Sequence, residues 1–514
     1  MEHGCSAPRE PLCSAQLLSS CMDTVHMKVF TEYSIQKGVF QGCPRSCWRI
    51  PAGSDSAATQ GFEDSANFAE STNRIQTRDF GDPTMNHSRI NCILVVALAV
   101  GWSLSFSVLS VVSAQGLMDI EEPPFSYSDT VEDNRVSRFI EKIQAKELRL
   151  DYGKPRGHLE SLLKALEIPV SSQMLVFSKT SMQVQHISRS NPRAIYFNDD
   201  TYVGWVRGSS LVEVSTADSK LGAAFYTVDM KPWRAKIVRS DYDCLGCHAT
   251  SMTDGLPGHM IRSVSPFHDG GINAQFPSYV TGDSSPFAQR WGGWYVTGGH
   301  GSMQHMGNAF LRGNTLDLRR SGNVTDLEDR FDTTGYLLPT SDIAALMVLG
   351  HQTGVHNVFV KADFTVRKLE YDRAQRQAKG QSISEADKEE LSMQIAQAAR
   401  QVLKVILFCD EEPLQSPIDS AGEFVHEFEA RGPIDAKGRS LRQFDLQTRL
   451  FRYPCSFLVY SEAFDDLQPT LRTEIISQLR TILTAETVPD QYSNLNAATR
   501  TELHEILSET LKGY

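Results

Sequence analysis

The chain has 514 residues, with 50 Lys/Arg against 62 Asp/Glu, a formal net charge of −12 and 41% apolar residues. This is a globular composition, which excludes a disordered tail protein, a collagen-like fibre and a polytopic membrane protein. The acidic balance argues against nucleic acid as a partner, because phosphate binding draws on clustered Lys and Arg.

Residues 1–84 carry cysteines at 5, 13, 21, 43 and 47 and little sustained periodicity. They read as an unstructured or mis-called N-terminal extension, with synthesis starting at Met85. Residues 85–114 read as a signal peptide or membrane anchor. Met85–Arg89 supplies one positive charge, Ile93–Ala114 is an uncharged apolar run, and Val112-Ser113-Ala114 has the small residues of a cleavage site before Gln115. Left uncut, the same run is long enough to span a bilayer. On either reading residues 115–514 are expected in the periplasm or another extracytoplasmic space, with inner-membrane anchoring through 93–114 as the alternative to release. A lipoprotein is excluded because Cys92 precedes the apolar run. Only Cys244, Cys247, Cys409 and Cys455 remain in the exported part, too few for a disulfide scaffold.

Within the exported part, 116–130 reads as an extended lead-in, and helical periodicity follows over Val131–Leu150 and Gly157–Ile168. Short β-branched and aromatic runs at Met174–Phe177, Arg193–Phe197, Tyr202–Val206, Leu211–Val214 and Ala223–Val228, separated by turn residues, predict one antiparallel sheet. Residues 240–314 are rich in Gly, His and aromatics and read as ordered loop around a short strand at Gly293–Thr297. Helical patterns return at Ser341–Asp372, Ser384–Cys409, Ala421–Ala430, Ser461–Thr484 and Ala497–Leu511, with Tyr371–Asp387 a solvated joint. The expected class is α+β, a strand-rich α/β domain over 115–338 followed by an α-helical domain over 339–514.

Chemistry concentrates in Cys244-Leu245-Gly246-Cys247-His248, a C-x-x-C-H motif. Two thiols three positions apart on a helical turn can each add across a haem vinyl group, and the adjacent imidazole then becomes an axial iron ligand. A dithiol redox pair, half a zinc site and a structural disulfide are weaker alternatives. No thioredoxin-like βαβ pattern surrounds the motif, and no second C-x-x-C exists. The expected cofactor is therefore one covalent haem c on Cys244, Cys247 and His248, with His248 the proximal iron ligand.

Distal candidates lie downstream. Met306, His305 and His259 rank together, beside Met260, His268, His300 and Met303. In the 290–308 segment, glycines at 292, 293, 298, 299 and 301 would let backbone lie flat against a porphyrin, with Trp291, Trp294 and Tyr295 as a wall. Arg262 or Arg290 could pair with propionates. His351, Gln352, His356 and Asn357 interrupt an apolar helix and read as a hydrogen-bonded network or a pocket border, with an independent metal site the lesser alternative. Cys409 and Cys455 read as two buried thiols, or as a bridge.

The stretches RAIYFNDDTYVGWVRG (193–208), GAAFYTVD (222–229), CLGCH (244–248), RWGGWYVTGGHG and HMGN within 290–308, and DLQTRLFRYPCSFLVYSEAFD (445–465) together resemble a group of large exported bacterial proteins containing a cytochrome c domain. The resemblance implies a single c-type haem on Cys244, Cys247 and His248, and no defined activity. The expected function is that of an exported monohaem c-type cytochrome transferring electrons to redox partner proteins. The alternatives are a haem-dependent, peroxidase-like oxidoreductase and a haem-based sensor.

Overall fold

In the computed structural model, which describes residues 119–514 apart from Arg234 and Arg320, the sheet comes first and the long helices last, an α+β arrangement. The predicted N-terminal extension and targeting segment lie outside the described residues. The described residues belong to one compact unit.

Helices α1 (Arg135–Gln144) and α2 (Leu159–Ala165) precede a six-stranded antiparallel meander. Its strands are β1 (Met174–Val176), β2 (Arg193–Phe197), β3 (Thr201–Val206), β4 (Leu211–Asp218), β5 (Gly222–Asp229) and β6 (Ile237–Arg239). The register gives one continuous row across all six strands: Met174, Ile195, Gly204, Glu213, Thr227 and Val238. Directly opposed residues point to the same side of a sheet, so this row belongs to one face. The other face carries Leu175, Ala194, Trp205, Val212 and Val228, which pack with α1 and α2 into one core. Strand β4 shows the consequence in a strict alternation of half-buried and buried positions.

A short helix α3 (Asp241–His248) follows β6, then small two-residue ladders. The helical part comprises α4 (Ile343–Ala378), α5 (Glu385–Ile406), α6 (Phe424–Glu429), α7 (Glu462–Asp465), α8 (Pro469–Thr484) and α9 (Ala497–Thr510). Asp342 caps α4 by accepting from the N–H groups of Ala344 and Ala345. The most apolar 18-residue window of α4 is 83% buried within the protein, so its hydrophobicity serves packing. Met174, Val176, Phe197 and Tyr202 of the sheet share one core with α4, α5, α8 and α9.

Several predicted boundaries shift for identifiable reasons. Asn134 and Ser137 form a capping box, so α1 starts at Arg135, and left-handed Lys146 ends the turn beyond it. The predicted helix 461–484 is two helices, because Pro469 lacks the N–H to continue the first and suits the start of the second. Helix α4 runs to Ala378, through half of the predicted joint. Residues 293–297 do not form a strand. Trp294 and Thr297 make isolated bridges to Val176 and Asp342, and the ladder falls on Gly298–Gly299 instead. The lead-in is packed rather than merely extended, with Phe125 stacked on Phe364 at 4.3 Å and Tyr127 Oη donating to the Ala223 carbonyl at 2.7 Å.

Candidate functional site

Asp241 and Asp243 sit in the first turn of α3, where carboxylates favour the helix N-terminus. No residue of α3 is buried, so the helix lies on the surface of the sheet rather than within it. Cys244 is half-buried and Cys247 exposed; both are free thiols. Burial pushes the Cys244 thiol up to about 11.

The His248 ring rests against Phe225 of β5 with centroids 4.9 Å apart. Its Nδ1 is 2.8 Å from the Gly258 carbonyl oxygen, which can only accept, so Nδ1 carries the proton and Nε2 keeps its lone pair. The Gly258 N–H returns to the His248 carbonyl at 2.9 Å, and the Thr253 hydroxyl donates to the same oxygen at 3.2 Å. Burial lowers the His248 pKa below its ordinary value, which keeps the ring neutral. The loop after the motif therefore holds one imidazole in the tautomer and protonation state of a metal ligand.

Asn357 of α4 secures that loop. Its Oδ1 accepts from the His259 N–H at 2.9 Å, and its Nδ2 donates to the His259 carbonyl at 2.7 Å. A Cβ at Gly258 would come within 2.5 Å of Asn357 Oδ1, so the residue there must be glycine for the clamp to close. His259 is buried, its Nε2 has no hydrogen-bond partner, and its ring lies 4.5 Å from Tyr202 and 6.0 Å from both Phe225 and His356. Tyr202 Oη accepts from Gln352 at 3.0 Å and is hydrogen-bonded to His356 Nδ1 at 2.9 Å. Burial drives the His259 pKa well below its ordinary value and that of His356 to about 4. The four polar residues of α4 thus divide: Gln352 and His356 share Tyr202, Asn357 clamps the His259 backbone, and His351 stands apart.

The other predicted residues go elsewhere. His305 is buried with both ring nitrogens unpartnered, against His300 at 4.6 Å, Trp291 at 5.3 Å and Phe287 at 6.0 Å. Met306 Sδ accepts from Ser263 Oγ at 3.6 Å, Met303 is buried, and His268 stands edge-on to Phe310. The structure brings His259 into the surroundings of His248, and gathers His300 and His305 into a separate aromatic cluster. The glycines of this segment serve close chain packing. A Cβ at Gly292 would meet the Val264 carbonyl oxygen at 2.2 Å, and one at Gly293 would meet the Ser178 side chain at 2.6 Å. Trp291, Trp294 and Tyr295 are core residues. Arg290 is buried and spends its guanidinium on the carbonyls of Ser285 and Asp283, while Arg262 bonds Ser278.

His351 makes a second network: Nδ1 is 2.7 Å from Asp283 Oδ2 and Nε2 is 2.7 Å from Ser456 Oγ. The connectivity is that of a hydrolase relay, but Ser456 is 0% exposed, so no substrate carbonyl reaches its hydroxyl. Among the described residues no three His, Cys, Asp or Glu side chains converge as a metal cage. Cys409 and Cys455 are free, and burial pushes each thiol up to about 12. With a maleimide on unloaded protein, Cys247 is expected to react first and Cys455 only on unfolding. Peptide mapping of a time course checks this, and early labelling of Cys455 would contradict the packing described.

No protein-family model matches the chain, and no curated protein or solved structure is significantly similar to it, so functional assignment rests on the geometry of α3 and its loop.

Proposed function

We propose that residues 119–514 form an exported monohaem c-type cytochrome that carries electrons between partner proteins. One haem c would be bonded to Cys244 and Cys247, with His248 as the proximal iron ligand. The observation that carries this reading is the state of His248. Nδ1 is occupied by the Gly258 carbonyl, Nε2 is free, and two accessible thiols stand on the same helix. That donor set fits the group: thioether formation needs reachable cysteines, and an axial imidazole needs its second nitrogen engaged.

When bound, the haem supplies a one-electron ferrous/ferric couple. The chain's own residues do the remainder. The Gly258 carbonyl fixes the ring plane and the tautomer, Phe225 supplies an apolar contact to the ring, and Asn357 keeps the loop from relaxing. Attachment of such haems on the outer side of a membrane supports an extracytoplasmic location. The peroxidase-like reading gains nothing from His351, whose two ring nitrogens are both engaged in hydrogen bonds, and His356 spends its Nδ1 on Tyr202 and is buried.

The test is the mass of the chain exported from a host with a haem-attachment system, measured after denaturation. The wild type is expected to retain one haem, and Cys244→Ala/Cys247→Ala none. A wild-type chain that leaves the host without haem overturns the proposal.

A further inference from the structure

The sheet face that carries His248 also shows where the opposite side of the iron would be closed. Gly204, Glu213, Thr227 and Val238 run across β3 to β6, a span of about 14 Å at ordinary strand spacing. Phe225, two residues from Thr227 on β5, shares this face and touches the His248 ring. Toward β1 the face is covered by the α4 core. Toward β6 it opens: Glu213 and Thr227 are half-buried, and Val238 is 42% exposed.

Facing this opening is the turn 180–184. Ser181 Oγ donates to Glu213 Oε1 at 2.7 Å, which places the turn on the same face as His248. Glu213 is also ion-paired with Arg193, whose guanidinium lies over Gly204, where a Cβ would come within 2.4 Å. Glu213 opposes Thr227, two residues along β5 from the Phe225 that touches the His248 ring. The turn and the motif helix therefore lie over adjacent strands of one face. Immediately after Ser181, Met182 is 47% exposed and Val184 is 40% exposed, while Gln183 between them is buried with both amide atoms unpartnered. The Met182 thioether is thus on the surface of the turn that Ser181 fixes to Glu213.

Resting on the haem reading above, we propose that Met182 supplies the sixth ligand to the iron, from a turn that precedes the motif rather than follows it. A thioether suits an iron that passes electrons and raises its potential relative to a second imidazole. The other candidates are less well placed. His259 hangs from the peptide whose carbonyl fills the Nδ1 side of His248, and the two ring nitrogens point away from each other, so its backbone starts behind the proximal ring. His305 is enclosed by rings, and Met306 sulfur takes the Ser263 hydroxyl. His186 is exposed four residues after Met182 and is the competitor.

The experiment uses the haem-loaded full chain as wild type, Met182→Ala, Met182→His and His186→Ala, with mass confirming attached haem in each. The ferric wild type is expected to show the weak far-red sulfur-to-iron band and to bind no carbon monoxide when reduced. Met182→Ala loses that band, and its carbon monoxide-binding fraction rises from a trace to nearly all of the haem. Met182→His returns a low-spin spectrum with a lower potential, and His186→Ala matches the wild type. Haem attached in the wild type without that band, a band that survives Met182→Ala, or one lost in His186→Ala overturns the assignment of Met182. Absence of haem from the wild type removes the parent reading and this one with it.

Discussion

Asn357→Leu is expected to lower the free energy of unfolding by about 2–4 kcal/mol, because it strands the N–H and the carbonyl of His259 without partners. Each orphaned buried group costs about 1–3 kcal/mol, and the leucine cannot replace either bond. The damage extends to His248, since its Nδ1 partner is the carbonyl of the preceding Gly258. Gly258→Ala should act in the same direction by driving a methyl group into Asn357 Oδ1. Denaturant unfolding of both variants measures the effect as a lower midpoint at unchanged slope. A midpoint within experimental error of the wild type would show that the clamp contributes nothing. In haem-loaded protein the same variants should broaden or shift the low-spin spectrum, because the imidazole plane is no longer held.

The second large effect is a pH dependence set by Glu411. Burial, reinforced by the nearby Asp283 carboxylate, pushes its pKa up to about 7 from an ordinary value of 4.5. Glu411 lines a cavity of about 10 Å³, room for about one water, together with Asp283, Arg290 and Glu412, and its Oε1 accepts from the Leu450 N–H at 2.7 Å. Between these two pKa values the folded state holds a proton that the unfolded chain has released. The contribution is fully present below pH 4.5 and is lost as pH rises through 7. Glu411→Gln keeps an acceptor for Leu450 and cannot ionise, so it is expected to be more stable than the wild type by about 1–3 kcal/mol at pH 8, with the difference vanishing below pH 4.5. Burial acts oppositely on His305, whose pKa falls to about 3, and on His356, so the wild-type profile alone combines both signs. The wild-type-minus-variant difference isolates Glu411. A difference that does not change with pH would refute the raised pKa.

Elements read from local periodicity match where the whole element is stabilised by one face. Strand β2 falls on its predicted residues, and β5 and α9 shift by only a residue or so at their ends, because their apolar residues are buried along the whole element, β5 on both of its faces and α9 on one. Strand β6 was missed: Ile237–Arg239 has no buried residue and exists by pairing with β5. The aromatic run at 293–297 reads as a strand by composition, yet its backbone groups are divided among residues 175–178, Trp291, Asn308 and residues 341–343 rather than one partner strand. At the site, the motif and its histidine could be read from five consecutive residues. The place of Met182 could not, since it is set by Ser181, Glu213 and the sheet face on which His248 lies.

The sequence by itself determined the C-x-x-C-H motif, the succession of sheet and helices, and the internal position of polar groups in α4. All three follow from neighbours within a turn or two of each other. Only the tertiary structure decided that Gly258 and Asn357 hold the loop after His248, that the 300–306 histidines cluster with Trp291, and that the 292–293 glycines serve close chain packing. Those outcomes depend on contacts between residues that are tens to about a hundred positions apart. Hydrogen-bond direction and van der Waals exclusion act across such contacts, and local periodicity carries no record of either.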